Sequence, residues 1–241
     1  MNNCDLRKVI IFGSNSDIFC ICETHLEGAA VIEIEGYTWF GHNRLYRNRN
    51  APKGSGGVGI LIKKTLCNQL KVDIIDKSID GILCIGITNR SRTISMCIYV
   101  CYLSPESSVW GRDANYFFSH LLSCIYLNSE YEHIIICGDM NARIGELPDS
   151  IDEVDNIISR NNIDKVKAGH HESLINFLKD TKTCIVNGRV TPKHDGFTCV
   201  SGRGKSVVDY CISPHNNLDN CMDFRVSTTS DLINQFDCYQ P

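Results

Sequence analysis

The chain has 241 residues and a formal net charge of −4; 43% of the residues are apolar, with 18 Gly, 6 Pro and 14 Cys. That composition excludes an intrinsically disordered chain, a collagen-like repeat and a strongly basic whole-molecule field. At this length a globular chain buries roughly 70–75% of the surface it exposes when unfolded, so a substantial core is available.

In chain order, apolar runs at 18–22, 58–62, 82–88 and 94–103 are rich in Val, Ile, Thr and aromatic residues and predict strands. Between the last two, Thr88-Asn89-Arg90-Ser91-Arg92-Thr93 has hairpin spacing. Asp113, followed by Tyr116, Phe117, Leu121, Leu122 and Ile125, predicts a capped amphipathic helix. A strand at 133–137 and a second helix over 172–179, through Leu174, Ile175 and Leu178, come next. Further strands are predicted at 184–186, 197–200 and 207–212, the last two separated by a turn at Gly202-Arg203-Gly204-Lys205. Strands joined by hairpins and punctuated by a few helices predict stacked sheets with helices outside, in a single domain over residues 1–241.

No apolar run reaches the ~20 residues that span a bilayer. Residues 1–8 lack the charged and cleavage regions of a signal peptide, so the sequence reads as soluble and intracellular. Cysteine use fits that compartment. Cys20, Cys22, Cys84, Cys97, Cys101, Cys137 and Cys211 lie inside apolar, β-branched runs, where they act as small hydrophobes. No Cys-x-x-Cys occurs, which argues against a zinc site, and a disulfide framework would need an oxidising compartment.

Charge is uneven along the chain. Residues 41–71 contain no acid but seven bases: Arg44, Arg47, Arg49, Lys53, Lys63, Lys64 and Lys71. Over 146–164 the balance reverses, with Glu146, Asp149, Asp152, Glu153, Asp155 and Asp164 against Arg160. A basic loop on an acidic background can track a phosphate backbone; a solvated surface that merely lacks acids is the plainer reading.

Gly54-Ser55-Gly56-Gly57-Val58-Gly59 matches G-x-G-x-x-G by letter. A dinucleotide fingerprint follows a strand and opens a helix, whereas this one leads into a strand. The glycines read instead as a tight turn that lets backbone approach backbone or a ligand. Two other segments place a carboxylate at the end of an apolar strand. Asp17-Ile18-Phe19-Cys20-Ile21-Cys22 runs into Glu23-Thr24-His25, and His133-Ile134-Ile135-Ile136-Cys137 runs into Gly138-Asp139-Met140-Asn141. A strand end holds a side chain rigidly at the solvent edge, where a cation and a substrate reach it. A third carboxylate, Asp209, sits within Ser206-Val207-Val208-Asp209-Tyr210-Cys211-Ile212; turned inward it needs a partner, turned outward it does not. Tyr102, before Ser104-Pro105, reads by position alone as a core or edge aromatic.

Together these segments resemble the endonuclease/exonuclease/phosphatase family, with the DNase I-like fold, and within it the apurinic-type endonuclease domains of non-LTR retrotransposons. The resemblance rests, in family order, on residues 17–26 (D-I-F-C-I-C-E-T-H-L), the turn and strand at 56–60, Tyr102 with Pro105 downstream, Gly138-Asp139-Met140-Asn141-Ala142-Arg143, Phe197-Thr198 and Val208-Asp209-Tyr210. It implies a four-layered α/β/β/α sandwich. It also implies Mg²⁺-dependent (or Mn²⁺-dependent) hydrolysis of DNA phosphodiesters, no membrane, a reverse transcriptase on the same parent polypeptide, and action in the nucleus. By the same resemblance Glu23 would bind the metal, Asp139 would orient or deprotonate the attacking water, and Asn141 would donate to the phosphate. Tyr102 would bond a phosphate oxygen, Thr198 would line that site and Asp209 would orient a catalytic His. Arg44, Arg47, Arg49 and Lys53 would hold the duplex through its phosphates.

The family pattern further implies an Asn ending a first strand upstream of the metal Glu, and a closing Ser-Asp-His motif. Asn2 and Asn3 lie too near the start for the first, and Ser230-Asp231-Leu232 has Leu where the motif has His. The motif would otherwise fall after Pro241, so the domain is expected to be trimmed at both ends. Two alternatives stand beside an active nuclease: a catalytically dead remnant with weak nucleic-acid binding, and a phosphatase of the same fold.

Overall fold

The computed structural model describes residues 8–12, 17–44, 55–108, 113–190, 196–202 and 204–227. Strands β1 (Lys8–Phe12), β2 (Ile18–Cys22), β3 (Tyr37–His42) and β4 (Val58–Lys63) form a four-stranded antiparallel sheet in the order β1-β2-β4-β3. A short helix, α1 (Lys64–Gln69), leads to β5 (Lys71–Asp76), β6 (Ile82–Thr88), β7 (Ser95–Tyr102), α2 (Ala114–Leu127) and β8 (His133–Asp139). A ribbon then pairs β9 (Ala142–Ile144) with β10 (Lys167–Gly169), followed by α3 (His171–Thr181) and β11 (Thr183–Ile185). A second ribbon, β12 (Cys199–Ser201) with β13 (Gly204–Ser206), precedes β14 (Asp209–Pro214) and a 3-10 turn, His215–Asn220. The larger sheet has six strands in the order β11-β14-β8-β7-β6-β5. Its β7–β8 pair is parallel, and a parallel pair needs a crossover; α2 provides it.

Strand alternation explains the layering. On β6 and β7, Ile82, Cys84, Cys97, Tyr99 and Cys101 face α2 and α3, where they meet Phe117, Phe118, Leu121, Leu174, Phe177 and Leu178. The alternate residues Leu83, Ile85, Ile98, Val100 and Tyr102 face the small sheet and pack on Cys20, Cys22, Val58, Ile60 and Ile62. Both faces of β6 and β7 are therefore covered, which is why these strands read as continuous apolar runs rather than as alternating ones. Leu66 and Cys67 of α1 pack against the edge of the inter-sheet core, and α1 closes one end of the sandwich against β3, β4 and β5. The result is the expected α/β architecture of two stacked sheets with helices outside. The twelve described cysteines are all free thiols, nine of them buried, as small apolar fillers should be.

Helices α2 and α3 match their sequence signals. Asp113 caps α2 by accepting the Asn115 N–H at 2.9 Å, and α3 covers the expected 172–179 stretch and ends at Lys182, whose φ of 51° and ψ of 44° stop the helix. The β6–β7 and β12–β13 hairpins fall where basic and glycine residues separate apolar runs. The strands expected at 197–200 and 207–212 each begin two residues later. The elements that periodicity missed are β1, β3, β5, β9, β10, β13 and α1, all short, half-buried or polar. Among the described residues no helix is long and apolar enough to cross a membrane.

Candidate active site

At the end of the sandwich opposite α1, Tyr102, Asp139 and Asp209 form one row across three adjacent strands. Tyr102 of β7 pairs with Asp139 of β8, and Asp139 pairs with Asp209 of β14. Residues directly across a ladder share a face. Here it is the inter-sheet face, since Tyr102 packs with Cys22, Val58 and Cys137. Tyr210 accordingly turns the other way, its hydroxyl 2.8 Å from the Ala142 carbonyl. Glu23 arrives from the small sheet, one residue past β2, and accepts a hydrogen bond from the Tyr102 hydroxyl at 3.1 Å. Each sheet thus brings carboxylates to the same seam.

The backbone around the row is held in unusual conformations. Glu23, His25 and Asn141 have φ of 54°, 55° and 44°, a region that costs a non-glycine residue about 1–3 kcal/mol and persists only where surroundings impose it. For Glu23 the surroundings are the glycine turn: Gly57 and Gly56 accept the N–H groups of Thr24 and His25 at 3.2 and 2.9 Å. The G-x-G-x-x-G letters therefore mark a turn that docks on the Glu23 loop, backbone to backbone. For Asn141 the constraint is reciprocal. Asp139 Oδ1 accepts the Asn141 N–H at 2.9 Å, the Asn141 amide donates to the Leu103 carbonyl at 2.8 Å, and Leu103 N–H returns to the Asp139 carbonyl at 2.9 Å. Asp139 is only 2% exposed, so its orientation is fixed by these bonds.

Tyr102 is kept in its protonated form. Burial and then the charges of Glu23 and Asp139 push its phenol well above the usual value, against a smaller pull from Arg44. A phenol so placed is a hydrogen-bond donor throughout the physiological range.

Thr198, expected to line a phosphate site, holds the entry to β14: its Oγ1 accepts the N–H groups of Val208 and Asp209, both at 3.1 Å. Asn187, which sequence reasoning missed, completes that grip. It is fully buried, donates to the Asp209 carbonyl at 3.1 Å and accepts the Cys211 N–H at 2.9 Å. Its local sequence places it just past the apolar run 184–186, the strand-end position that marked Glu23 and Asp139, but as an amide rather than a carboxylate. Arg143 of the G-D-M-N-A-R string makes a two-pronged pair with Asp164 at 2.8 and 2.7 Å, and Asp164 also accepts the Val207 N–H. His170 is buried at the start of α3 with its Nε2 3.0 Å from the Ser104 carbonyl.

Arg44 departs from the expectation of a phosphate-facing loop residue. It is 8% exposed and turned inward, bonded to Asp80 at 2.7 Å, Ser55 at 2.9 Å and Ser104 at 2.8 Å, with its guanidinium 5.9 Å from the Tyr102 ring centre. Its planar fork satisfies three oxygens at once, which favours burial over reaching out. Arg47, Arg49 and Lys53 lie outside the described residues, as do Asn2, Asn3 and Ser230-Asp231-Leu232. Two other members of the basic stretch have local partners: Lys63 with Asp17 at 3.3 Å and Lys71 with Asp73 at 2.6 Å.

Glu23, Asp139, Asp209 and Tyr102 offer only oxygen atoms. That donor set fits a hard cation such as Mg²⁺ or Mn²⁺ and not a thiolate-seeking metal.

The family model described as Endonuclease/Exonuclease/phosphatase family matches residues 3–221. The chain belongs to this family. Its members are generally dependent on a divalent metal, in keeping with the oxygen-only donor set. Among solved structures, an AP endonuclease from Leishmania major superposes with a TM-score of 0.63 at 12% identity, covering 86% of this chain and 72% of that one. A 3′ phosphatase from Neisseria bound to a product DNA hairpin gives a TM-score of 0.52 at 12% identity, over 85% of this chain and 78% of that one. A 3′-5′ exonuclease from Neisseria meningitidis gives 0.52 at 13% identity with the same coverage. At these identities the likeness establishes the DNase I-like fold. No curated protein sequence matches the chain.

Proposed function

We propose that this family member hydrolyses phosphodiester bonds of DNA with a bound Mg²⁺ or Mn²⁺, as the endonuclease domain of a non-LTR retroelement. The observation that supports this reading most is the row of Tyr102, Asp139 and Asp209 with Glu23 bonded to Tyr102 at its edge. When bound at Glu23, the cation supplies Lewis-acid stabilisation of the phosphoryl oxygens.

The remaining work falls to the side chains. Asp139, buried and fixed by the Asn141 N–H, orients the attacking water and takes its proton. Tyr102, held protonated, has one hydrogen, given to Glu23 in this structure; with Glu23 engaged by the cation, that hydrogen would turn to a non-bridging oxygen as charge builds there. Asn141 commits one amide hydrogen to Leu103 and has a second to give to the same phosphate. Thr198 and Asn187 set the backbone of Asp209, which faces the water site from the third strand. DNA as substrate is supported by the bound hairpin of the Neisseria phosphatase and by the E-T-H-L and G-D-M-N-A-R strings. Those strings also carry the retroelement reading, and with it a reverse transcriptase on the parent polypeptide and action in the nucleus.

Nicking of supercoiled plasmid tests the proposal. Open circles should form with Mg²⁺ or Mn²⁺ and not with chelator, and Glu23→Gln or Asp139→Asn should each lower the rate about 10²–10³-fold. Nicking that both substitutions leave unchanged overturns the assignment. Salt-sensitive DNA binding without nicking identifies the chain as a non-catalytic remnant instead.

A further inference from the structure

On the face of the large sheet away from the Tyr102 row, three side chains of metal-binding type meet. Asp76 closes β5, and His120 and Cys124 stand one turn apart on α2. His120 Nε2 lies 3.0 Å from Asp76 Oδ2, 3.3 Å from Cys124 Sγ and 3.2 Å from Ser78 Oγ; Cys124 Sγ lies 3.7 Å from Asp76 Oδ2. None of these residues contributes to the proposed nuclease site.

Three features set the cluster apart from an ordinary polar contact. The first is backbone design. The β5–β6 ladder slips between Ile74 and Asp76, so that Asp76 pairs with Cys84, a residue of the helix-facing side. Without the slip Asp76 would point between the sheets; the bulge re-aims it at α2.

The second is convergence on a single nitrogen. A histidine in a proton relay uses both ring nitrogens, one for the carboxylate and one for the thiol. Here the carboxylate, the sulfur and the Ser78 hydroxyl all approach Nε2, which carries at most one hydrogen. The thiol and hydroxyl bring hydrogens of their own, the thiol's directed at Asp76; a cation at the centre would take the place of the thiol hydrogen and use the Nε2 lone pair directly.

The third is size. Zinc bonds of about 2.3 Å to sulfur and about 2.0–2.1 Å to nitrogen or oxygen set tetrahedral ligand atoms about 3.3–3.6 Å apart. The observed edges of 3.0, 3.3 and 3.7 Å bracket that range.

We propose that Asp76, His120 and Cys124 bind a Zn²⁺ ion, with a water on the Ser78 side as the fourth ligand, and that the ion clamps edge strand β5 to α2. The mixed sulfur, nitrogen and oxygen set suits zinc, in contrast to the oxygen-only set at Glu23. Binding breaks the Cys124 S–H bond, forms the Zn–S bond and gives the proton to solvent. Asp76 and His120 are partly exposed, with side chains 18% and 23% accessible, so the ion has a route in from solvent.

Titration of the chelator-stripped full chain with Co²⁺ alone and with Zn²⁺ alone tests this site without reference to nuclease activity. One equivalent of Co²⁺ should give the visible bands of a tetrahedral site and a near-ultraviolet sulfur-to-cobalt charge-transfer band. Zn²⁺ should abolish both and raise the thermal midpoint. Cys124→Ser should remove the charge-transfer band. His120→Gln, at a partly exposed position, should weaken binding about tenfold or more with an unchanged circular dichroism spectrum. Cobalt bound without a charge-transfer band, a band that survives Cys124→Ser, or a folded chain that binds neither ion overturns the proposal. Glu23→Gln should leave the cobalt spectrum unaltered, so failure here and failure of the nuclease reading are told apart.

Discussion

Tyr102 and Glu23 are joined across the seam between the two sheets by a 3.1 Å hydrogen bond from phenol to carboxylate. The bond fixes Glu23 relative to Asp139, because Tyr102 is also the ladder partner of Asp139. Tyr102→Phe keeps the ring that packs on Cys22 and Val58 and removes only the donor. Stability should change by about 0.5–1.5 kcal/mol in urea unfolding. Plasmid nicking should fall about 10²-fold, the usual cost of losing one oriented donor. Because burial and the neighbouring carboxylates raise the phenol above its ordinary value of 10.0, the donor should persist where an ordinary tyrosine is half ionised. Tyrosinate absorbance of the wild type against Tyr102→Phe should accordingly show this residue ionising above the range of an ordinary tyrosine.

Gly138, just before Asp139, has a φ of 135°, and a Cβ there would collide with the Cys101 carbonyl oxygen and come within 2.9 Å of the Cys22 sulfur. Both obstacles are buried, and one is backbone of the parallel partner strand. Gly138→Ala should destabilise the fold by about 2–4 kcal/mol, with the denaturant midpoint moving and the slope preserved. The glycine of G-D-M-N is therefore a packing requirement for bringing Asp139 into the row.

Continuous apolar runs made β2, β4, β6, β7 and β8 legible, because burial on both faces leaves no polar residue to confuse the period. Glu23 and Asp139 at the ends of such runs were legible as candidates for the same reason, since a carboxylate at the lip of a fully apolar strand stands out; Tyr102 read by position alone as a core or edge aromatic and became a candidate only through the family resemblance. The register that aligns Tyr102, Asp139 and Asp209 was not, since ladder pairing depends on contacts far apart in the chain. Arg44 misled because a basic residue in an acid-free stretch looks solvated, while its partner Asp80 lies 36 positions away. The acidic segment at 146–164 likewise hides distant partners: Asp149 and Asp164 are 4% and 3% exposed and each is held by an arginine. The Asp76–His120–Cys124 cluster escaped because its carboxylate is aimed by a bulge, and no local pattern records a slipped register.

Those two buried aspartates give the protein an acid limit. Arg189 grips Asp149 at 2.9 and 2.8 Å, and the Ile185 N–H adds a third bond. For both Asp149 and Asp164, burial works to raise the carboxyl, and the arginine together with backbone N–H groups outweighs it, leaving each below its ordinary value of 3.8. The folded state then binds fewer protons than the unfolded one, so the stabilisation is complete above the ordinary value and is lost as pH falls through the folded values. Stability to urea should be flat near neutrality and drop steeply below about pH 4. Arg189→Met, which leaves the Asp149 charge buried, should cost about 3–5 kcal/mol at neutral pH and flatten the acid limb.

Arg44 lies under the Tyr102 ring with its fork on Asp80, Ser55 and Ser104, and this geometry separates two roles that a loss of activity alone would confuse. A residue that contacts a phosphate releases a counterion on binding, so its removal lowers the slope of log affinity against log salt by about 0.9. A buried tie has no such signature. Arg44→Met should reduce stability by about 3–5 kcal/mol, since the pair with Asp80 is largely desolvated, at 7% and 16% side-chain exposure. Nicking should fall because Tyr102 and Ser104 lose their common support. The salt slope for duplex binding, read by fluorescence anisotropy, should stay at its wild-type value. A slope reduced by one phosphate's worth in a folded variant would instead put the Arg44 guanidinium on the DNA backbone, and would require it to leave Asp80 when the duplex binds.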